Sequence, residues 1–463
     1  MFSSIRSTLH NREMMSNIFH LSWPAITELA LQTIVQYADT AQVGAIGANA
    51  SAAVGLTTSM MWLINCTFSA FSMGVLSCIS RSLGAKKEKQ AQEAAMQAIL
   101  ITIVLAAIWE ICTLTISPYL PGWLSAAPEI QHDTSVYFAI ICAPMLFRSS
   151  SIIFGTVLRA TGNTKTPMII NTIMNVINIF LNFLLISPVR EWQAGARTIT
   201  VWGAGLGVAG AAIATAIAYT IGGTLMFLAA YRDPVLQMRG QKIHLNRQVM
   251  KICLKIGSPI AAERIVVCLG HVLFTSLVAR LGTIPMAAHS IAITAEQAFY
   301  IPGYGMQAAA ATLCGHSAGA KEEEKLVQYS ATVTFLAVVL MGLLSAFLFL
   351  RPDLVMQIFT RDTQVIELGS KVLRLVAISE PFFAVVIVME GIFNGVGDTK
   401  VPFFFSLFTM WGVRIPSTAL LVLAFHQDLT AVWLCMIADN MVRFICVIVR
   451  YKRGKWRQNA DII

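Results

Sequence analysis

The sequence is short of charged residues. Only 12% of its 463 residues are Asp, Glu, Lys or Arg, whereas a soluble globular protein carries about 25%. Hydrophobic residues make up 56%, and the mean hydropathy is +0.68. So few charges cannot cover a water-facing surface, and we predict that most of the surface faces a lipid bilayer. This composition excludes an intrinsically disordered chain, a nucleic-acid-binding protein and a secreted disulfide scaffold.

Several motifs of enzyme, metal and nucleotide sites are also missing. The sequence contains no Cys-x-x-Cys, no P-loop and no His-Glu-x-x-His. Its nine cysteines all lie in or beside apolar segments, so we interpret them as packing residues. We therefore predict that the protein is not an enzyme, uses no ATP and has no cofactor. The energy for any transport must then come from an ion gradient or from the gradient of the substrate.

Twelve apolar segments have the length needed to cross a bilayer. A hydrocarbon core of ~30 Å requires ~20 helical residues, and only a helix satisfies its own backbone in lipid. The predicted spans are residues 18–42, 53–79, 95–117, 132–156, 167–187, 205–230, 250–279, 286–312, 327–350, 368–392, 402–425 and 429–450.

Basic residues predict the orientation of these spans. The two tails and every second connector together contain 22 Lys and Arg, whereas the connectors on the other side contain at most 7. Because Lys and Arg are retained on the cytoplasmic side, both termini should be cytoplasmic. We predict a multi-pass protein of the plasma (inner) membrane.

The two halves of the sequence repeat at a constant spacing of 235 residues. Six spans fit into this spacing, an even number, so both halves have the same orientation. We predict an all-α polytopic membrane protein with twelve transmembrane helices in two pseudo-symmetric six-helix lobes around a central cleft. The lobes are residues 1–231 and 251–463, joined by a cytoplasmic connector at 232–250. The matching residues are Pro24, Glu28, Gly47, Ala52, Ala53, Gly84, Ala85, Lys86, Gly162, Thr164, Lys165 and Pro167, with Pro259, Glu263, Gly282, Ala287, Ala288, Gly319, Ala320, Lys321, Gly397, Thr399, Lys400 and Pro402.

Two lobes of this kind are typical of secondary transporters, in which one lobe rocks against the other. A static scaffold or a passive channel is the alternative. Single-channel currents would indicate a channel, and stoichiometric exchange would indicate an antiporter. An intramembrane enzyme would need a nucleophile–base pair or a metal motif.

Short motifs recur in a fixed order along nearly the whole chain. Their residues are Pro24, Glu28, Asp39, Thr40, Val43, Gly44, Gly47, Leu83, Gly84, Ala85, Arg159, Ala160, Gly162, Asn163, Thr164, Pro167, Ala288, His289, Pro302, Gly303, Gly305, Gly395, Gly397, Asp398 and Thr399. Together they resemble the MATE (multidrug and toxic compound extrusion) family of secondary transporters. The resemblance implies two six-helix bundles that export amphipathic, often cationic, drug-like compounds in exchange for H⁺ or Na⁺. The alternative within related two-lobed transporters is export of lipid-linked precursors, which requires a strongly cationic cavity.

Asp39 is the first candidate among the acids inside the predicted spans. A charge at a helix centre costs ~2.5–3.5 kcal/mol on insertion scales, so such an acid needs a reason. Burial favours the neutral carboxyl group and a nearby cation favours the carboxylate, and this opposition makes a usable switch. The alternative is an Asp at a helix end in the outer headgroup region.

Four asparagines of the fifth span, at positions 171, 175, 178 and 182, share one helical face. Amide oxygens suit a hard cation, but they also serve as hydrogen-bonding groups between helices. The resemblance implies a cation-coupling cluster of Asp39, Asn178, Asn182 and Thr215, with Na⁺ at Asp39 and Asn178. This sequence departs from the family pattern because Asn182 stands where some members have an acid. With one negative charge fewer, H⁺ carried by Asp39 alone is an alternative to Na⁺.

Three further acids are candidates for binding substrate or protons in the cleft: Glu28, Glu263 and Glu296. Glu28 and Glu263 are repeat mates, each four residues after a proline. They could instead form structural ion pairs with arginine. Asp439 and Arg443 are spaced i, i+4 and are predicted to form a structural ion pair.

Overall fold

The computed structural model describes residues 11–124, 126–194, 197–241 and 243–457. Within these ranges, twelve helical segments follow the twelve predicted spans, and we number them spans 1 to 12. Nine of the described helices are long and apolar enough to cross a bilayer, and a bent pair of helices makes a tenth span. The prediction of an all-α polytopic fold is therefore confirmed.

The first repeat contains spans 1 to 6. They are span 1 (Arg12–Gly44), span 2 (Ala48–Gly84), span 3 (Glu88–Ile116), span 4 (Pro128–Cys142 and Met145–Ala160), span 5 (Lys165–Leu185) and span 6 (Gly207–Tyr231). A short helix, Leu120–Trp123, precedes span 4. Spans 5 and 6 are joined by an antiparallel hairpin that the sequence did not predict, with strands β1 (Pro188–Ala194) and β2 (Arg197–Ala204).

The second repeat contains spans 7 to 12. They are span 7 (Arg247–Ala279), span 8 (Thr283–Phe299 and Ile301–Gly319), span 9 (Glu323–Leu350), span 10 (Thr363–Val396), span 11 (Lys400–Ala424) and span 12 (Leu429–Lys452). The short helix Pro352–Phe359 precedes span 10.

Three spans depart from regular α-helix. The two helices of span 4 meet at 52° next to Pro144, because a proline has no N–H to continue the helix and its ring clashes with the preceding turn. Span 8 is interrupted at Tyr300, and Pro302 occupies the first turn of the helix that follows. Span 11 contains two π-helical stretches, Thr409–Arg414 and Leu420–Ala424. Each stretch inserts extra backbone into the helix, which changes the face that later residues present.

The repeat is visible in the backbone. Spans 1 and 7 both have 33 residues, and they begin and end at positions 235 apart. The turn after span 2 places Lys86 at φ 57°, and the turn after span 8 places its repeat mate Lys321 at φ 58°. In both turns the next residue donates its N–H five residues back, Lys87 to Ser82 and Glu322 to Ser317. The sequence spacing of 235 is therefore a structural repeat.

Two compact units are distinguished by their internal packing. One consists of Met1–Ile26, Leu76–Ala91 and Lys251–Ile463, and the other of Thr27–Val75 and Gln92–Met250. In the first unit, Phe393 and Trp456 lie in a core of aliphatic side chains. In the second unit, Phe68 and Phe138 are fully buried members of the core. The predicted lobes at 1–231 and 251–463 remain a proposal.

Candidate functional site

Asp39 lies in a hydrogen-bonded cluster with two asparagines of span 5. Asn182 donates its Nδ2 to Asp39 Oδ1 at 2.7 Å. With the Asn178 amide turned to suit its neighbours, its Nδ2 lies 2.8 and 3.1 Å from the two carboxylate oxygens of Asp39, and its Oδ1 accepts from Thr215 Oγ1 at 3.2 Å. Spans 1, 5 and 6 thus bring together the four residues Asp39, Asn178, Asn182 and Thr215.

Burial gives this cluster its chemical character. Asn178 is 6% exposed and Asn182 is 1% exposed, while Asp39 is half-buried. The Oδ1 atom of Asn182 is buried and has no hydrogen-bond partner among the described residues. An unpaired buried oxygen costs free energy, so this atom is an available acceptor for a proton donor or a small cation. Asp39 supplies the only formal charge among the four residues.

Glu28 has two strong partners in the same unit. Arg159 Nη1 lies 3.1 Å from both carboxylate oxygens of Glu28, and Asn171 Nδ2 lies 2.6 Å from Oε1. The charge of Glu28 is thereby balanced within the protein. This geometry favours the structural alternative for Glu28 over substrate binding.

Glu263 repeats one of these contacts in the other unit. It is buried and accepts a hydrogen bond from Ser406 Oγ. Ser406 is the repeat mate of Asn171, so both glutamates bind a partner 143 residues further along the chain. No simple sequence motif predicts these contacts. The repeat could have revealed them, because both pairs are separated by the same 143 residues.

Glu296 lies deep in span 8 and forms a buried acidic pair with Glu380 of span 10. Both side chains are at most 3% exposed. Tyr300 Oη donates to Glu296 Oε1, and the two carboxyl groups are close enough to interact electrostatically. The sequence placed Glu296 among the candidates but did not indicate Glu380 as its partner.

The predicted ion pair of Asp439 and Arg443 requires correction. Asp439 is fully buried, and its Oδ2 lies 2.7 Å from Arg414 Nε on span 11. Arg443 instead pairs with Glu390 of span 10 at 3.6 Å and donates to Thr409 Oγ1. The i, i+4 spacing permits a local ion pair, but Asp439 and Arg443 form ion pairs with residues of spans 11 and 10 instead.

Arg148 of span 4 is a buried arginine. Its guanidinium carbon lies 3.9 Å from the centre of the Tyr219 ring, and Nη1 donates to Asn65 Oδ1 at 3.4 Å. A cation over an aromatic face is a stable arrangement in a site with little water.

The segment Gly315–Gly319 matches the Gly-x-Ser-x-Gly pattern of serine hydrolases but has a different structure. It lies inside the helix Ile301–Gly319, whereas a nucleophile elbow requires a sharp turn between a strand and a helix. A Cβ on Gly315 would meet the Ser80 side chain, and one on Gly319 would meet the Arg81 backbone. These glycines serve close helix packing.

Within the described residues, twelve helical segments in a duplicated arrangement, together with the half-buried Asp39 and its buried amide partners, define a polytopic membrane protein of the secondary-transporter type. The MatE family profile matches residues 24–184 and 259–420. These two matches begin 235 residues apart, at the spacing of the repeat. The chain belongs to the MatE (MATE) family.

Relatives support this membership over nearly the full length. The chain is 27% identical over 454 residues to a probable multidrug resistance protein NorM from Thermotoga maritima, covering 97% of this chain and 94% of the relative. It is 26% identical over 423 residues to the multidrug resistance protein NorM from Vibrio vulnificus, covering 87% and 86%.

Solved structures show the same fold. A MATE protein crystallised in complex with MaD3S matches with a TM-score of 0.86 at 21% identity, covering 96% of both chains. The outward-facing conformation of a multidrug resistance MATE family transporter matches with a TM-score of 0.85 over the same share of each chain. The predicted architecture of two six-helix repeats is confirmed by this agreement.

Proposed function

We propose that this protein is a multidrug efflux transporter that exchanges amphipathic, often cationic, organic compounds for H⁺ or Na⁺ by alternating access. Family membership and the relatives named for multidrug resistance support the transport of drug-like compounds. The Asp39 cluster supports ion coupling, because it places one half-buried carboxylate among neutral amides and a hydroxyl. This cluster is the observation on which the proposal rests.

The coupling step follows from the charge of Asp39. When Asp39 is ionised, the Nδ2 groups of Asn178 and Asn182 satisfy its oxygens. Binding of H⁺ or Na⁺ neutralises the carboxylate. The attraction between the negative charge of Asp39 and the amide N–H groups of Asn178 and Asn182 is then lost. Spans 1 and 5 then lose this polar link, so the ion changes the relative stability of two conformations.

The amide donors favour H⁺ over Na⁺. A sodium ion at Asp39 would need oxygen ligands, and both amides would have to turn to present Oδ1 instead of Nδ2. A proton needs only one carboxylate oxygen. Na⁺ coupling remains the alternative because Asn182 Oδ1 is a buried acceptor without a described partner.

Proteoliposomes containing the purified chain test this proposal. A cationic dye is loaded, and its efflux is measured under an imposed pH gradient and, separately, an imposed Na⁺ gradient. Wild type should respond to one gradient, and Asp39→Asn should fold but lose the response. The matched control is Asp353→Asn, which alters an exposed acid paired with Arg351. Normal gradient-driven efflux from Asp39→Asn would exclude Asp39 from coupling.

Export of lipid-linked precursors is not favoured. A pyrophosphate headgroup requires a strongly cationic cavity, whereas carboxylates outnumber arginines among the buried charges described above. The basic residues Arg159, Arg414 and Arg443 are each paired with an acid. They are therefore not free to bind an anionic substrate.

We further propose that the protein lies in the plasma (inner) membrane with both termini cytoplasmic. The excess of Lys and Arg in the tails and alternate connectors supports this orientation. Reporter fusions at each terminus test it, since a reporter that is active outside the cell would contradict the prediction.

A further inference from the structure

Spans 1 and 5 of the first repeat pack in the same register as spans 7 and 11 of the second. Spans 1 and 7 have equivalent ends and contain no insertion relative to each other. Spans 5 and 11 begin at repeat mates, Lys165 and Lys400. The hydrogen bonds Asn171–Glu28 and Ser406–Glu263 join equivalent positions. Residues in one repeat can therefore be compared directly with their counterparts in the other.

The counterpart of the Asp39 cluster has a different composition. The repeat spacing places Phe274 at the position of Asp39. The same spacing places Val413 at the position of Asn178, but Val413 lies inside the π-helical stretch Thr409–Arg414, whose wider turn contains one residue more than a regular α-helical turn. The inserted residue moves the buried position from Val413 to Arg414.

Direct contacts support this equivalence. In the first repeat, Asn178 reaches Asp39. In the second repeat, the guanidinium carbon of Arg414 lies 5.6 Å from the centre of the Phe274 ring. Both residues of span 5 and span 11 are 6% exposed. In the second repeat, the guanidinium group of Arg414 thus faces the ring of Phe274. At the equivalent position of the first repeat, the amide of Asn178 faces the carboxylate of Asp39.

A carboxylate on span 12 neutralises this cation. Asp439 Oδ2 lies 2.7 Å from Arg414 Nε, and Arg414 Nη2 donates to Asn440 Oδ1 at 3.4 Å. In the first repeat, the corresponding partner of Asn178 is the neutral Thr215 of span 6. The second repeat therefore contains a carboxylate, Asp439, with a permanent positive charge, Arg414, beside it. The charge of Arg414 takes the place of an exchangeable ion.

We infer that Arg414 acts as a tethered cation that fills the second-repeat counterpart of the Asp39 site and prevents Asp439 from binding an exchangeable H⁺ or Na⁺. Coupling through this pair of duplicated sites is then confined to the first repeat. This inference rests on the proposed role of Asp39 in coupling. By filling one of the two duplicated sites, Arg414 limits the number of exchangeable ions that the pair of sites binds.

Arg443 is a second cation that acts electrostatically on Asp439, but its own charge is balanced by Glu390, which lies 3.6 Å away. His271 lies near both Arg414 and Asp439, and His289 accepts a hydrogen bond from Trp433 at its Nδ1. Removing the charge of Arg414 would thus leave Asp439 as a buried acid without its nearest cation, which requires a proton or a metal cation in its place.

The test counts bound cations on the purified full chain. Equilibrium dialysis with radiolabelled Na⁺ and a difference titration of bound protons are performed on wild type, Arg414→Gln, Arg414→Lys and the double variant Arg414→Gln/Asp439→Asn. Arg414→Gln should bind one cation more per chain than wild type, as Na⁺ or as H⁺. Arg414→Lys keeps the tethered charge, and the double variant removes both charges, so neither should show a gain.

Two results would overturn the inference. One is a folded Arg414→Gln that binds no additional cation, and the other is the same gain in the double variant. If Arg414→Gln does not fold, Phe274→Asp decides the question. Its new carboxylate puts two acids beside one arginine, so this variant should bind one cation more per chain than wild type. Phe274→Asp/Asp439→Asn keeps one acid beside Arg414 and should bind no more than wild type. No gain in Phe274→Asp, or an equal gain in both variants, would contradict the proposal.

These measurements are separate from the test of the proposed function. Asp39→Asn addresses coupling through gradient-driven dye efflux, whereas the Arg414 variants are compared by the number of cations bound. Normal efflux from Asp39→Asn would reject the proposed coupling site even if Arg414→Gln gained a cation. Loss of efflux in Asp39→Asn with no gain in Arg414→Gln would reject only the role of Arg414.

Discussion

Gly84 at the end of span 2 packs directly on the backbone carbonyl of His316 in span 8. The reciprocal contact joins their repeat mates, because Gly319 packs on the carbonyl of Arg81. A Cβ at either glycine would overlap the facing carbonyl oxygen. The two helices therefore approach backbone to backbone around a local pseudo-two-fold axis, which only a residue without a side chain permits.

This contact predicts that alanine is not tolerated at either glycine. Gly84→Ala and Gly319→Ala should each destabilise the protein by about 1–3 kcal/mol, since the backbones must separate to admit a methyl group. Thermal unfolding of the purified variants measures the effect. Gly55→Ala in the same span 2 is the control, because its Cβ would meet no heavy atom within 4 Å among the described residues. Equal melting temperatures for Gly84→Ala and Gly55→Ala would contradict the prediction.

The neutral cluster around Asp39 predicts a gain of Na⁺ dependence when an acid is introduced. Asn182→Asp places a second carboxylate beside Asp39, and two like charges in a buried site favour binding of a cation. Dye efflux from this variant should be stimulated by a Na⁺ gradient more strongly than efflux from wild type. Asn163→Asp is the control, because Asn163 caps the start of span 5 outside the cluster. No change in the Na⁺ response of Asn182→Asp would argue against cation access at this position.

The pair of Glu28 and Arg159 predicts a structural effect. Glu28→Gln leaves Arg159 half-buried without its carboxylate and should lower stability by about 1–3 kcal/mol. The double variant Glu28→Gln/Arg159→Met should recover part of that loss, because it also removes the positive charge that Glu28 balanced. Melting temperatures of the three proteins test this expectation. A stable Glu28→Gln with impaired drug binding would instead indicate a direct role in substrate recognition.

The partner of Asp439 can be identified with a double-mutant cycle. Asp439→Asn should be strongly destabilising, by about 3–5 kcal/mol, because it leaves Arg414 buried and unpaired. The coupling energy between Asp439→Asn and Arg414→Met should be larger than that between Asp439→Asn and Arg443→Met. Unfolding free energies in detergent give both values. A larger coupling energy with Arg443→Met than with Arg414→Met would instead indicate that Asp439 pairs with Arg443 within span 12.

Span positions were predictable because hydropathy is a local property. Span 9 was predicted at 327–350 and is observed at Glu323–Leu350, and the other spans differ mainly by extra turns at their ends. The break in span 4 and the interruption of span 8 were not predicted, although Pro144 and Pro302 are visible signals in the sequence. The hairpin between spans 5 and 6 was missed because its strands are short and lie between two long apolar segments.

The sequence by itself determined that this chain lies in a membrane, that it contains two repeats of six spans, and that a few acids and amides are placed inside the spans. These properties depend on composition, segment length and residue spacing. Only the tertiary structure decided which charges meet: Arg414 with Asp439, Arg159 with Glu28, and Asn178 and Asn182 with Asp39. Such pairs join helices far apart in the chain, and the π-helical insertion in span 11 turns Arg414 toward Phe274 in a way that residue spacing alone cannot reveal.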